Sequence, residues 1–373
     1  MSRPIRVLHC LSSVASGGVE RRRLILARNL DKNRYEQRII ARAARGDVVT
    51  ALEAAGVPVT TVGQGRLFDP GALWRAARLA REWRPDIVHG AVFEGLSLAV
   101  VAGRACGARV VIEETSFATN RSPRGHALFR ALVAASDACV AISPAVRRQL
   151  ETATRVPSGK ITTIMNGATP PTLPSAESAQ ALRGELGIPR DAFVIGTVAR
   201  LQQDHNKRTS DLIRALAQLP ESAADVRLLV VGEGAAKPGL IELSRSLGVF
   251  ERVTFTGNRE DVGNMYAIMD AFALVSAWEG FGLVVAEAMF CGLPVIGSRV
   301  GGIPDIVLEG QTGLLVPPCS PASIAEAMLA LRLDRERRQQ FGRAGKLRAQ
   351  ECFSAERYTA DVEAFYTRLL GRG

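Results

Sequence analysis

Several features that would assign a function at a glance are missing from this 373-residue sequence. Its six cysteines (Cys10, Cys106, Cys139, Cys291, Cys319 and Cys352) are scattered with no C-x-x-C pair. That argues against a disulfide framework or a cysteine zinc site and leaves reduced core residues. The four histidines (His9, His89, His126 and His205) lack metal-ligand spacing, so neither a structural metal nor a cofactor is expected. No apolar run reaches the roughly 18 residues of a membrane-spanning helix. The opening MSRPIRVLHCLSS has too short an apolar part for a signal peptide and reads as a buried first strand. The G-x-G-x-x-G dinucleotide fingerprint is absent, although Gly232-Glu233-Gly234 imitates its start. Aromatic residues make up only 5%, and no recognition motif or basic–aromatic interleaving points to nucleic acid.

What is present is an ordinary globular balance, 47% hydrophobic and 23% charged. The length suits two domains of about 150–200 residues each. The net charge of +10 is divided unevenly. Residues 1–170 hold 25 Lys and Arg against 13 Asp and Glu, a balance of +12, and the remainder carries −2. Arg21, Arg22, Arg23 and Arg28 crowd one predicted helix. Such a half-protein suits an acidic partner, an anionic membrane surface or a phosphate-bearing acceptor. The expected location is the cytoplasm, extending to the inner face of the cell membrane.

Short β-branched runs alternate with amphipathic stretches throughout. Strands are expected at Ile5–Leu11, Gln37–Ala41, Val59–Val62, Asp86–His89, Val110–Glu113, Ala138–Ile142 and Ile161–Ile164. The proline-rich Ala168–Ser178 reads as a linker. Alternation resumes with Val194–Val198, Arg227–Val231, Val253–Phe255, Ala271–Val275, Pro294–Gly297 and Gly313–Val316, and three polar helices close the chain. Alternation of this kind predicts an α/β protein of two Rossmann-like domains, with ligands at the carboxyl ends of parallel strands in a deep inter-domain cleft.

Three segments have the residues for chemistry. Glu279-Gly280-Phe281-Gly282-Leu283-Val284-Val285-Ala286-Glu287 follows a strand and opens a helix, offering free N–H groups and a positive dipole end to phosphate. Glu287 inside that apolar helix is costly unless it meets donors such as ribose hydroxyls. Arg200 and Lys207 flank the polar loop Gln202-Gln203-Asp204-His205-Asn206 and are placed to clamp a diphosphate. Ser16-Gly17-Gly18-Val19-Glu20 joins the first strand to the first helix, where paired glycines admit a ligand close to backbone. As plain structure, the same segments read as a helix-cap acid, a solvated helix face and an ordinary strand–helix turn.

The succession of Gly17-Gly18, Asn166-Gly167, Arg200…Lys207, Val231-Gly232-Glu233-Gly234, Gly257, Glu279…Glu287 and Gly301-Gly302-Ile303-Pro304 resembles the large retaining glycosyltransferase family 4 over nearly the whole chain. The resemblance implies the GT-B architecture. Residues 1–170 would then bind acceptor, residues 171–352 nucleotide-sugar donor, and residues 353–373 would cross back to the first domain. It further implies a metal-independent, retaining transfer of a hexose or related sugar, from a UDP-sugar first and a GDP-sugar second, to a saccharide or lipid-linked hydroxyl acceptor in polysaccharide or glycoconjugate synthesis. Arg200 and Lys207 would stabilise the departing diphosphate and Glu279 would contact the transferred sugar. Phe281, Gly282, Leu283 and Val284 would meet sugar and phosphate, Glu287 the ribose, Gly257 and Asn258 the base, and Gly18 the donor phosphate or acceptor.

On the acceptor side stand Gly17, His89 and Glu114. The chain departs from its relatives at Glu113-Glu114-Thr115, where many carry a histidine, and at Ala168-Thr169, where an aspartate is usual nearby. His89 reads either as a cleft residue or as a hydrogen-bonded structural one. A nucleotide-sugar epimerase, a sugar phosphorylase and a non-catalytic nucleotide-sugar-binding protein are the competing readings.

Overall fold

The computed structural model describes residues 3–15, 17–63, 69–115, 121–202 and 204–371. The chain forms two compact units, one running to Ala168 and taken up again from Phe353, the other spanning Thr169–Cys352.

The first unit holds a seven-stranded sheet ordered β3-β2-β1-β4-β5-β6-β7. Its strands are β1 (Ile5–Val14), β2 (Tyr35–Ala44), β3 (Val59–Thr61), β4 (Ile87–Ala91), β5 (Arg109–Glu114), β6 (Ala138–Ala141) and β7 (Ile161–Thr163). The second unit holds a six-stranded sheet ordered β10-β9-β8-β11-β12-β13. It is built from β8 (Phe193–Val198), β9 (Val226–Val231), β10 (Val253–Gly257), β11 (Ala271–Leu274), β12 (Val295–Ser298) and β13 (Gly313–Val316). All pairings are parallel. The strand order reverses between β1 and β4 in one sheet and between β8 and β11 in the other. Such reversals open a crevice at the carboxyl ends of the strands.

Local chemistry starts the helices. Asp69, Ser122 and Ser143 each precede a proline, and each side chain accepts a hydrogen bond from a first-turn amide. A short oxygen-bearing cap followed by proline pre-sets the helical φ and satisfies an orphan N–H. The proline-rich linker is irregular only as far as Ser175. There the hydroxyl accepts from Ser178 N at 3.2 Å and starts the helix Ala176–Glu185, so the last three residues expected to be linker are helical.

The final helix, Ala355–Leu369, packs on the first sheet, where Tyr358, Val362, Phe365 and Tyr366 join Ile25, Leu26, Ile87, Val111 and Val140 in one core. Burying each such aromatic ring contributes about 1.5–3 kcal/mol. The two places where the chain passes between units are pinned together within the first unit: Ala168 N donates to Phe353 O at 2.8 Å. Gly167 is required beside them, because a Cβ there would lie 2.5 Å from Tyr358 Cβ. Among the described residues no helix is long and apolar enough to cross a membrane.

Candidate active site

In the second unit Arg200 and Lys207 follow β8 and Glu279 and Glu287 follow β11, the two strands that flank the reversal, whereas Gly257 and Asn258 end β10, two strands from β8. Arg200 follows β8 and is exposed. Its loop is laced to the end of β9: Ala199 N donates to Val231 O at 3.0 Å and Leu201 N to Glu233 O at 2.9 Å. This lacing explains the Gly-x-Gly. A Cβ on Gly232 would lie 1.9 Å from Ala199 O, and one on Gly234 would lie 2.2 Å from Leu201 O. These glycines admit backbone, at φ of 141° and 155°, rather than a dinucleotide.

Lys207 ends the short helix Asp204–Lys207, which Asn206 fastens by accepting from Ala277 N at 2.7 Å while His205 lies against Trp278. Lys207 Nζ thereby meets Glu279 Oε2 at 2.5 Å, with side-chain exposures of 27% and 16%. Both ends of this pair stay within reach of solvent. Glu279 is not a helix-cap acid: Gly282 is the N-cap of the helix Leu283–Phe290, at φ 103°, and no side chain caps it. The helix start therefore keeps its positive end uncapped by any carboxylate. The Gly301-Gly302 turn braces it, with Gly302 N donating to Glu279 O at 3.0 Å and no room for a Cβ against Gly280 O. Phe281 is buried beneath this turn.

Glu287 is 7% exposed, so the solvated-face reading fails. Tyr266 O–H donates to its Oε2 at 3.0 Å. Nothing in the sequence marks Tyr266, which reaches Glu287 from a separate short helix, Val262–Ala267. Gly257 ends β10 at φ 73° and accepts from Gly232 N at 2.8 Å, and Asn258 next to it is exposed. A cavity of about 740 Å³ elsewhere on this unit, lined by His205, Arg208, Asp211, Arg214, Leu240 and Cys319, includes none of Arg200, Lys207, Glu279 or Glu287 in its wall.

In the first unit Gly17 is the N-cap of the helix Gly18–Asn29, and Gly18 is exposed after β1. Ser16 and Gln203 lie outside the described residues. The arginine cluster is only partly a surface feature. Arg22 and Arg23 are buried, at 2% and 1% exposure, and hold Glu113 from two sides at 2.6 and 2.9 Å. A buried carboxylate needs such partners, so these two cations are spent internally and not offered to an acidic partner.

His89 is buried at 1% exposure; its Nδ1 lies 2.7 Å from the Tyr366 hydroxyl and its Nε2 3.2 Å from Glu113 Oε2. Of its two sequence readings, the structural one describes this placement. Burial, then the Arg23 charge, pushes the His89 imidazole down to about 4. Burial alone would raise Glu113, but the Arg22 and Arg23 guanidiniums outweigh it and hold the carboxyl well below its ordinary range. Glu114 points away from this group, as alternation along a strand requires, and pairs with Arg121 at 2.6 Å. The structure thus does not bring Glu114 and His89 together. The acid that joins His89 is Glu113.

Two family models match the chain: residues 178–348 fit glycosyl transferases group 1, and residues 16–170 fit glycosyltransferase family 4. The chain belongs to the family 4 glycosyltransferases. The N-acetyl-alpha-D-glucosaminyl L-malate synthase of Bacillus anthracis is 28% identical over 310 residues, which are 81% of this chain and 80% of that enzyme. A D-inositol 3-phosphate glycosyltransferase of Xylanimonas cellulosilytica is 32% identical over 255 residues, covering 65% of this chain and 59% of that one. Among solved structures, Anabaena HepE in complex with UDP and glucose superposes with a TM-score of 0.87 at 22% identity, covering 98% of this chain and 100% of that one. Sucrose-phosphate synthase from Thermosynechococcus elongatus gives 0.80 at 21%, over the whole of both chains. At these identities the superpositions establish the GT-B fold of this glycosyltransferase.

Proposed function

We propose that this glycosyltransferase moves a hexose or related sugar from a UDP-sugar to a hydroxyl acceptor with retention at the anomeric carbon. The observation that carries this reading is the Lys207–Glu279 pair beside an uncapped helix start, with Glu287 one turn inside that helix. In this scheme Glu287, oriented by Tyr266, accepts from the ribose hydroxyls, and the strand end at Gly257 and Asn258 seats the base. The amides of Leu283 and Val284, with Gly282 and Phe281 around them, face the phosphates and sugar. Glu279 accepts from a sugar hydroxyl and in turn orients Lys207. UDP is favoured because the superposed HepE structure holds it, and the alpha designation in the Bacillus relative's name agrees with retention.

The acceptor oxygen attacks the anomeric carbon on the face from which the diphosphate leaves. The carbon–phosphate-oxygen bond breaks, the new glycosidic bond forms, and the acceptor proton passes to the departing phosphate oxygen. Arg200 and Lys207 supply the charge that stabilises this oxygen, work that otherwise falls to a metal ion. The protein's main contributions are orientation and preorganised charge. Gly17 and Gly18 bring backbone against donor phosphate or acceptor, in an acceptor-binding domain that is the first unit. A saccharide or lipid-linked acceptor at an anionic surface suits the +12 balance of residues 1–170.

A thermal-shift panel of UDP, GDP and ADP, with Glu287→Ala as control, tests the donor site. A shift by UDP that the variant loses is expected; equal shifts by all three, or none, would overturn the assignment.

A further inference from the structure

We propose that Glu113 is a positioning residue that fixes the Gly17-Gly18 turn through Arg22 and ties that turn to the final helix. The contacts form one chain. Arg22 Nη1 lies 2.6 Å from Glu113 Oε1, and Arg22 Nε donates to Gly18 O at 3.3 Å. Helical side chains lean toward the N-terminus, so a residue four positions after Gly18 covers its carbonyl naturally. On its other oxygen Glu113 takes Arg23 Nη2 at 2.9 Å and stands 3.2 Å from His89 Nε2, and His89 in turn meets Tyr366.

Tyr358 and Tyr366 both belong to the final helix. The first turn of that helix is anchored where the chain passes between units. Arg357 Nη2 donates to Met165 O at 2.7 Å and to Asn166 O at 3.1 Å, and Tyr358 fills the space against Gly167. Glu113 is thus the hub between the inter-unit crossing and the glycine turn, and side-chain exposure at Arg22, Arg23, His89 and Glu113 is 3% or less.

Apolar packing would hold the final helix more cheaply. Each buried ion carries a desolvation cost of several kcal/mol, and a paired network recovers it only with good geometry. What the ions add is direction, because a guanidinium shared between Glu113 and Gly18 O fixes where that carbonyl points. That the fixed turn faces the reacting groups rests on the proposed function.

Hydrogen–deuterium exchange on the full chain, comparing wild type with Arg22→Met and Glu113→Gln, tests the tether. Arg22→Met is the safer variant, since it leaves the Arg23–Glu113 pair intact. Exchange over residues 17–25 is expected to rise roughly tenfold while β8 in the other unit is unchanged. Unchanged exchange over residues 17–25 in folded Arg22→Met overturns the tether. A readout that a merely structural role would not move is the split between binding and turnover. UDP release from UDP-glucose or UDP-N-acetylglucosamine should fall about tenfold, well beyond any loss of UDP affinity, and equal loss of both contradicts positioning. Gly18→Ala distinguishes the underlying reading. If it turns over as fast as wild type, the turn does not face substrate, and the exchange result alone decides the tether.

Discussion

The two sheets solve the same architectural problem and then treat charge in opposite ways. Each reverses strand order once, after β1 in the first and after β8 in the second, and each places a glycine-bearing turn at that reversal. In the second unit the charged pair there, Lys207 and Glu279, keeps 27% and 16% of its side-chain surface open. In the first unit the equivalent region buries Arg22 and Glu113 to 3% and 1% under the final helix. A reachable cation can meet a developing negative charge, whereas a buried one is already committed to its partner. The two halves share a sheet architecture and differ in how far their charged groups are open to solvent, and the proposed function assigns the chemistry to the more open pair.

The comparison breaks most visibly at Glu113. Glu113→Ala strands two buried arginines and is expected to cost about 3–5 kcal/mol of stability, read as a lower urea midpoint. A midpoint within error of wild type would mean the charges are not committed to each other. The pH dependence sharpens the same contrast. A free histidine takes its proton near 6.5, but burial and then Arg23 hold folded His89 down to about 4. The unfolded chain therefore binds the extra proton first, and stability falls as pH drops from about 6.5 to about 4, by at most about 3 kcal/mol from this group. Glu113, held below its ordinary range, acts in the same direction: its contribution is whole above about 4.3 and is lost as pH falls further. The urea midpoint should decline across the upper window, with a shallower slope in His89→Gln; identical slopes would refute the assignment to His89.

In the other unit Glu287→Ala is expected to weaken UDP by about 1.5–3 kcal/mol, roughly tenfold to a hundredfold in Kd, with little change in the urea midpoint. Calorimetric titration measures it, and an unaltered Kd would remove Glu287 from the ribose. The smallest effect lies at the start of the final helix. Ser354 accepts from Arg357 N at 3.3 Å, so Ser354→Ala should cost about 1 kcal/mol by urea titration while leaving UDP affinity alone.

Much of this was legible in the residues. Every expected strand exists, because short β-branched runs between turn residues have few other uses. Their ends drift where polar residues continue a strand, as Ser12 and Ser13 do in β1. The buried helix Phe93–Cys106 has no polar stripe to mark it, since apolar residues surround its axis. Lys207, Glu279 and Glu287 are readable from local motifs. Tyr266 is not, because its bond to Glu287 spans 21 residues, nor is the Arg23–Glu113 contact across 90. Arg21, Arg22, Arg23 and Arg28 on one helix look like surface until a carboxylate on a distant strand buries two of them.

The most direct test of the account is turnover by Lys207→Ala. The variant is expected to bind UDP within a few-fold of wild type yet to release UDP from its donor sugar roughly a hundredfold more slowly, about 3 kcal/mol of lost transition-state stabilisation. Wild-type turnover in this variant would contradict the assignment of Lys207, and with it the reading of the half-buried Lys207–Glu279 pair as the seat of the chemistry.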